Sequence, residues 1–206
     1  MSQRQSLIYS NRTAYHALMR LLYGRHFEAR YVALAAEIPA GVDVVDVCAG
    51  DGYLYLRYLR SKAVEYLGLD ISPHLVRWAQ QHGVPARQFD LWREEVPPGD
   101  VVVMQAGLYQ FLPHAEPIVR KLLAAARHTV LIAEPIRNLS ASRSPLLSRL
   151  SRRMTAPAAE GQVYTGHRFN AQSLTALFHL FESFERLQLL PGGREMLGVF
   201  KGRHSA

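Results

Sequence analysis

Two glycines and the aspartates around them are the residues whose types and spacing indicate chemistry. Residues 42–47 are β-branched apart from two aspartates, which is typical of a buried strand, and Gly50 and Gly52 follow at once. Glycines there let the backbone turn sharply and approach a ligand with no Cβ in the way. Exposed N–H groups and a helix N-terminus then lie over the carboxyl end of the strand, where open α/β sheets bind nucleotides.

The turn differs from a dinucleotide site in two respects. The G-x-G-x-x-G pattern has a third glycine that allows close helix packing over a pyrophosphate, but Tyr55 stands at that position. Asp51 also lies inside the turn, where its carboxylate disfavours a pyrophosphate and suits a ligand with an amino group and a sulfonium. The other interpretation of Asp51 is an exposed turn residue.

At this turn the chain resembles the class I S-adenosylmethionine (SAM) dependent methyltransferases. Asp46, followed by the run C-A-G-D-G, is similar to their first motif, a strand that ends in an acid before a G-x-G turn. Cys48 stands where many members have glycine, and we expect it to be a small buried side chain rather than a nucleophile. The resemblance implies that Asp46 orders the turn or contacts the methionine ammonium through water.

Four further segments resemble the family in the same order. Residues 64–70 and 84–92 resemble the second and third strands, while residues 100–109 and 129–135 resemble the fourth and fifth. A carboxylate at Asp70 can accept both ribose hydroxyls, which suits NAD or SAM. The resemblance implies that Asp90 faces the adenine amine. It assigns the cofactor contacts to Asp46, Cys48, Ala49, Gly50, Gly52, Asp70, Ile71, Asp90, Leu91 and Gln105.

The alternation of strands and helices predicts an α/β fold. We expect a Rossmann-like methyltransferase sandwich, with a seven-stranded, mostly parallel sheet, an antiparallel C-terminal hairpin and helices on both faces. Helical spacing predicts two extra N-terminal helices over 13–23 and 24–37, and helices over 115–126 and 171–180, the last capped by Asn170. Strands are predicted over 184–190 and 194–201.

The chain is predicted to be one domain, residues 1–206. It divides into an N-terminal helical cap at 1–40, a cofactor-binding core at 42–135, an arginine- and serine-rich lid or connector at 136–169, and a C-terminal helix and hairpin at 170–206. Its length is enough to bury a full core.

The composition of the chain limits the class of protein and the cellular compartment that we expect. The single cysteine excludes a disulfide framework and a cysteine-rich metal site, and it fits a reducing cytosol. The nine histidines show no metal-ligand spacing, so we expect no metal. There is no apolar run long enough to span a bilayer and no signal-peptide core at the N-terminus. We therefore predict a cytoplasmic protein, with peripheral membrane contact as an option.

The formal net charge of +7 indicates acidic partners: an anionic substrate, a membrane surface or nucleic acid. Five arginines and no acids occur in residues 137–153, mixed with serines and leucines. This segment is either a solvated connector or a basic amphipathic lid that captures an anionic substrate or rests on anionic lipid, and its composition also permits disorder. Nucleic acid is disfavoured, because no aromatic residues interleave with the arginines.

The methyl acceptor is expected beyond the fourth strand, at residues 105–111. The Asp/Asn-Pro-Pro-aromatic run of N-methyltransferases that act on DNA or protein is absent there, which favours a small-molecule or lipid-linked acceptor. Polar candidates near the acceptor are Tyr109, His114, Glu134, Tyr164 and His167. We choose Tyr109 and His114 as candidate catalytic residues, because they follow the strand that the acceptor approaches.

Two other functions remain open at this point. One is a nicotinamide-dependent oxidoreductase on a Rossmann fold, although its third glycine is missing. The other is a non-catalytic SAM-binding protein. Methyl transfer from SAM mainly requires that the nucleophile is placed against the methyl group and that water is excluded. A general base is needed only when the acceptor keeps a proton that must leave. Catalytic residues of such an enzyme are therefore difficult to predict from a sequence.

Overall fold

The computed structural model describes Arg20 and residues 24–136 and 168–204. Seven strands occur in these residues: β1 Asp43–Val47, β2 Glu65–Asp70, β3 Ala86–Gln88, β4 Gly99–Gln105, β5 Ala126–Pro135, β6 Phe184–Leu189 and β7 Glu195–Lys201. The α-helices are α1 Phe27–Ala36, α2 Pro73–Gln81, α3 Ala115–Ala125 and α4 Ala171–Phe178. Shorter helical segments are the 3-10 turns Gly24–His26, Arg60–Lys62 and Leu108–Phe111, and the π-helical segment Tyr55–Leu59.

The strands form one sheet in the order β3-β2-β1-β4-β5-β7-β6. The first five strands are parallel, whereas β7 pairs antiparallel with both β5 and β6. The order reverses between β1 and β4, and the carboxyl ends of the parallel strands open there into the crevice in which such sheets bind ligands. The predicted fold class is confirmed.

Alternation along the central strands builds a core on each face of the sheet. Val45 and Val102 enter one buried cluster, while their neighbours Val44 and Val103 enter the other, because successive side chains of a strand point to opposite faces. Both faces of β1 and β4 are therefore covered, as expected for a parallel sheet. This burial fixes the position of the strand ends that carry the site.

Several boundaries differ from those that the sequence predicts. The third strand ends at Gln88 instead of reaching residue 92, because the backbone carbonyl of Asp90 accepts from the N–H groups of Arg93 and Glu94 in a turn. The fifth strand begins at Ala126, directly after α3, which is earlier than predicted. The expected helix over 13–23 lies outside the described residues apart from Arg20.

Helix α1 joins the first glycine turn to the C-terminal hairpin. Its Arg30 donates to Glu195 of β7 over 2.7 Å, and both side chains are buried. On another side of the helix, Glu28 accepts hydrogen bonds from the hydroxyls of Tyr53 (2.8 Å) and Tyr58, which follow the glycine turn. The N-terminal helix is therefore an integral part of the packed sandwich.

Candidate functional site

The turn after β1 has the left-handed backbone that its glycines suggest. Cys48, Gly50 and Gly52 have φ values of 62°, 60° and 71°. Among the described residues, a Cβ on Gly50 would meet nothing within 4 Å, so none of them fills the space in front of this backbone. A Cβ on Gly52 would lie 2.7 Å from Cγ1 of Val84, so this glycine is needed for packing. Cys48 occupies a left-handed conformation that favours glycine.

Asp70 ends β2 beside this turn and holds it. Its Oδ2 accepts from the Gly50 N–H at 2.8 Å and its Oδ1 from the Ser72 N–H at 2.9 Å. Burial raises the pKa of Asp70, and the two N–H groups oppose that rise. A carboxylate can accept about four hydrogen bonds, so both oxygens keep capacity for a ligand's hydroxyls.

Asp46 lies inside the sheet, not at the surface of the turn. Its Oδ2 accepts from the Tyr66 hydroxyl at 2.7 Å, and only 4% of the residue is exposed. Burial raises the pKa of Asp46 to about 7, with further increases from the charges of Asp70 and Asp51. Tyr66 was not predicted as part of the site, because its contact with Asp46 depends on how β1 and β2 pair side by side.

Asp51 is buried, which makes the exposed-turn interpretation wrong. Its Oδ1 accepts from the Tyr53 N–H at 3.2 Å, so the side chain shapes the start of the following helix. Its charge raises the pKa values of both Asp46 and Asp70, so the three carboxylates form one acidic group. Such a group attracts a positively charged ligand group such as an ammonium.

The ends of β2 and β3 add an apolar surface beside the acids. Leu91 is buried, whereas Ile71 and Trp92 are 37% and 43% exposed. The Asp90 Oδ1 accepts from the Trp92 N–H at 3.0 Å, which fixes this loop. The Trp92 ring lies 5.2 Å from the ring of Phe111, which follows β4. A flat aromatic ligand could therefore contact apolar side chains here while a carboxylate lies nearby.

On the other side of the point where the strand order reverses, β4 ends at Gln105. Ala106 follows with a φ of 52°, and its N–H donates to the Ala133 carbonyl of β5. A Cβ on Gly107 would lie 2.9 Å from the Cβ of Cys48, so the turns after β1 and β4 pack directly against each other. Within the described part of the chain, the buried Nε2 of Gln105 has no hydrogen-bond acceptor. This amide is a donor that a bound ligand could satisfy.

Glu134, near the end of β5, positions the turn after β4. It is fully buried, and it accepts from the N–H groups of Leu108 (2.9 Å) and Tyr109 (3.3 Å). Burial raises its pKa to about 8 even though the two N–H groups and the charge of Arg168 oppose this. The sequence suggested Glu134 as a polar candidate near the acceptor, and the structure shows that it organises the backbone there.

The two candidate catalytic residues lie in different environments. Tyr109 is half-buried, and the guanidinium carbon of Arg168 is 3.5 Å from the centroid of its ring. His114 is exposed at the residue before α3. Arg168 was missed by sequence reasoning, since no local pattern relates it to residue 109. The candidates Tyr164 and His167, and the arginine-rich residues 137–153, lie outside the described residues.

Neither a metal cluster nor a membrane span is found in the described ranges. No group of three histidine, cysteine, aspartate or glutamate side chains in residues 24–136 and 168–204 is arranged to hold a metal ion. None of the helices described is both long and apolar enough to cross a bilayer.

Comparison with known proteins identifies the family. A model of a methyltransferase domain matches residues 18–184. A Haloferax volcanii methyltransferase, solved with the Trm112 methyltransferase activator, has a TM-score of 0.69 and 15% identity, covering 99% of this chain and 100% of that one. A TehB-like SAM-dependent methyltransferase from Corynebacterium glutamicum has a TM-score of 0.60 and 19% identity, covering 96% and 100%.

A third solved structure contains the product of the cofactor. Magnesium protoporphyrin IX methyltransferase from Synechocystis, with bound S-adenosylhomocysteine (SAH), has a TM-score of 0.58 and 14% identity, covering 98% of this chain and 90% of that one. Identities this low establish a common fold alone. A search of curated proteins finds no match.

The chain belongs to the methyltransferase domain family, because the family model covers most of its length. Its fold is that of the class I SAM-dependent methyltransferases. The predicted family and fold are thereby confirmed, and SAM is the cofactor of this family.

Proposed function

We propose that the protein binds SAM at the carboxyl ends of β1, β2 and β3 and transfers its methyl group to a small-molecule or lipid-linked acceptor. The observation that carries this proposal is the Asp70 carboxylate. It holds the Gly50 N–H on one oxygen and the Ser72 N–H on the other, beside a turn that presents open backbone. The remaining lone pairs of Asp70 are the acceptors for the two ribose hydroxyls.

The other residues at this edge fit the rest of the cofactor. Asp46 and Asp51 supply negative charge for the methionine ammonium, and the unpartnered amide of Gln105 can donate to its carboxylate. Ile71 and Leu91 supply apolar contacts for the adenine, with Asp90 beside its amine. Cys48 and Ala49 contribute backbone to the turn. Apart from Gly52, which packs against Val84, all of the cofactor contacts that the sequence predicts therefore have a role in this proposal.

The cofactor supplies a methyl carbon that its sulfonium already activates. The protein then has to hold the acceptor atom in line with that carbon and exclude water. Tyr109 lies on the turn after β4 and is half-buried, which suits contact with an acceptor or with its proton. His114 is exposed at the start of α3 and is the second candidate for accepting a proton.

The acceptor class rests on two sequence features. The signature of N-methyltransferases acting on DNA or protein is absent from residues 105–111, and the chain carries a net charge of +7. We infer a small or lipid-linked acceptor, anionic in character, reached in the cytoplasm or at the membrane surface. Co-sedimentation with anionic vesicles, compared between the wild type and a variant with the five arginines of 137–153 changed to glutamine, tests the membrane contact.

Calorimetry of the purified protein with SAM tests the proposal, with NADH as the comparison ligand. We expect micromolar binding of SAM and none of NADH. Binding of NADH without SAM would favour the nicotinamide-dependent oxidoreductase instead. Binding of SAM without transfer of labelled methyl to any acceptor in a cell extract would favour a non-catalytic SAM-binding protein.

A further inference from the structure

Glu28 of α1 reaches the helix that follows the glycine turn. Its Oε1 accepts from the Tyr53 hydroxyl at 2.8 Å, and its Oε2 accepts from the Tyr58 hydroxyl. Arg20 also donates to Oε1, at 3.2 Å. Burial raises the pKa of Glu28, but the hydrogen bonds from the two tyrosines and the arginine lower it below its ordinary value. Glu28 is therefore ionised at neutral pH, and these hydrogen bonds are charge-assisted.

The backbone of this helix places both tyrosine hydroxyls within reach of one carboxylate. Tyr55–Leu59 is π-helical, and the Arg60 N–H donates to the Tyr55 carbonyl, five residues back. Residues five apart in an α-helix are turned about 140° from each other, whereas in a π-helix they lie nearly one above the other. Because this segment fills most of the interval between them, Tyr53 and Tyr58 lie on one side, with ring centroids 6.4 Å apart. Such π-helical turns are rare and are frequent at functional sites.

Tyr53 connects Glu28 to the glycine turn. It follows Gly52 directly, and its backbone N–H donates to Oδ1 of Asp51 at 3.2 Å. The Leu56 N–H donates to the Gly52 carbonyl at 3.0 Å, so the helix begins inside the turn. Asp51 is one of the two acids that we assign to the methionine ammonium. One side chain and one backbone N–H therefore separate Glu28 from a group that we assign to the cofactor.

The ring of Tyr53 is also packed against α1. Tyr53 is 6% exposed, and its ring centroid lies 4.8 Å from that of Tyr31 and 5.6 Å from that of Phe27. Packing holds the body of the ring, and the hydrogen bond to Glu28 holds its hydroxyl end. A side chain that is held at both ends, in the first turn of a helix, limits how that turn can rotate.

We propose that Glu28 is a positioning residue for the amino-acid half of SAM: through Tyr53 it sets the carboxylate of Asp51 and the glycine turn without touching the cofactor. This inference rests on the proposed function, which places SAM at this turn. The adenosine half is assigned to Asp70 and Asp90, and neither of them takes part in the hydrogen bonds of Glu28. A change at Glu28 should therefore affect the two halves of the cofactor unequally.

The test compares two ligands by calorimetry on the full chain: SAH, which carries the amino-acid half, and methylthioadenosine, which lacks it. Glu28→Gln removes the charge and leaves an oxygen at only one of the two positions that the hydroxyls use. We expect it to weaken SAH about tenfold and methylthioadenosine less than about twofold. Glu37→Gln is the matched control, because it breaks the 2.5 Å ion pair with Arg186 at the other end of the same helix. This control should bind both ligands like the wild type.

A second measurement follows the turn itself. Amide hydrogen exchange at Gly50 and Tyr53 in the free protein should be faster in Glu28→Gln than in the wild type, and unchanged in Glu37→Gln.

A milder variant serves if Glu28→Gln fails to fold, as judged by thermal melting. Tyr58→Phe removes one hydroxyl donor to Glu28 and keeps the ring, and it should show the same unequal loss. Its control is Tyr55→Phe, because the Tyr55 ring stacks on Tyr66 and its hydroxyl is not a donor to Glu28.

Equal losses of SAH and methylthioadenosine in Glu28→Gln would overturn the inference, because a general loss of folding affects both ligands. Unchanged affinity for SAH, unchanged exchange at Gly50 and Tyr53, or an equal effect in Glu37→Gln would overturn it too. A wild type that binds neither ligand, yet exchanges the Gly50 amide faster once Glu28 is changed, would reject the proposed function and keep the role of Glu28 in holding the turn.

Discussion

The strand order of the sheet reverses between β1 and β4, and the two sides of this point carry different chemical groups. On the side of β1 to β3, carboxylates meet backbone N–H groups at the glycine turn, as when Asp70 holds Gly50. On the side of β4 and β5, the buried carboxyl of Glu134 supports a turn that carries an aromatic ring and a stacked guanidinium. One side is acidic, and the other carries a cation stacked on an aromatic ring.

The two sides also differ in how far apart in sequence their partners lie. The acid of the cofactor side is twenty residues from its glycine, within one strand-turn-helix-strand unit. Arg168 reaches Tyr109 from the segment before α4, beyond β5. The proposed cofactor side is therefore built from neighbouring elements, whereas the proposed acceptor side joins segments that are distant in sequence. This difference explains why a cofactor is easier to predict than a substrate.

The largest effect, on SAM affinity, should come from removing Asp70, the acid on the proposed cofactor side. Asp70→Ala deletes the ribose acceptors and leaves the Gly50 and Ser72 N–H groups without this partner, and charged hydrogen bonds contribute about 1.5–3 kcal/mol each. We expect SAM affinity to fall about a hundredfold in calorimetry. The control is Glu65→Ala, an exposed acid at the other end of β2. Unchanged affinity in Asp70→Ala would show that the cofactor site is misassigned.

The second-largest effect should come from disturbing the contact between the turns after β1 and β4. In Gly107→Ala the new Cβ would lie 2.9 Å from the Cβ of Cys48, and overpacking of this kind costs about 1–3 kcal/mol. Chemical denaturation should show this loss in the free energy of unfolding. Cys48→Gly removes the obstructing atom and suits a φ of 62°, so the double variant should recover most of it. Strict additivity of the two changes would contradict the contact.

A smaller effect should appear in the pH dependence of stability. The folded state keeps the proton of Glu134 up to about pH 8, whereas the unfolded chain loses it near the ordinary value of 4.5. The folded state thus binds more protons in this window, and the free energy of unfolding falls as pH rises through it.

Glu134→Gln should flatten this slope between pH 5 and pH 9. Urea denaturation at several pH values measures it. Some slope should remain, because the pKa of Asp46 is also raised, to about 7. Glu182→Gln, an exposed acid, should match the wild type, and a slope that Glu134→Gln leaves intact would refute the assignment.

The smallest effect concerns the apolar surface beside Asp90. Trp92 is 43% exposed there, so a bound adenine should change its fluorescence while Trp92→Phe changes SAM affinity less than about threefold. Trp78, in α2, is stacked on His82, the residue that follows this helix. Trp78→Phe should therefore keep the change in fluorescence on binding. A response that persists in Trp92→Phe and disappears in Trp78→Phe would place the adenine elsewhere.

What the sequence predicts and what it misses follow this same division. The seven-stranded, mostly parallel sheet, the acid at Asp70, the cap at Asn170 and the final hairpin follow from patterns of residues close to each other in the sequence, and the structure contains them. The bond from Tyr66 to Asp46 depends on register between adjacent strands. The sequence suggested Glu134 only as a polar candidate near the acceptor, because nothing near it in sequence indicates the backbone N–H groups from which it accepts hydrogen bonds.

The ion pair between Arg30 and Glu195 has a consequence for biosynthesis. Its partners are 165 positions apart, so at ordinary translation rates the arginine is made roughly ten to thirty seconds before the glutamate. A buried charge without its partner is strongly destabilising, so α1 cannot dock stably until the hairpin is complete. During that interval the nascent chain presents an unfinished apolar face, which is the kind of surface that chaperones bind.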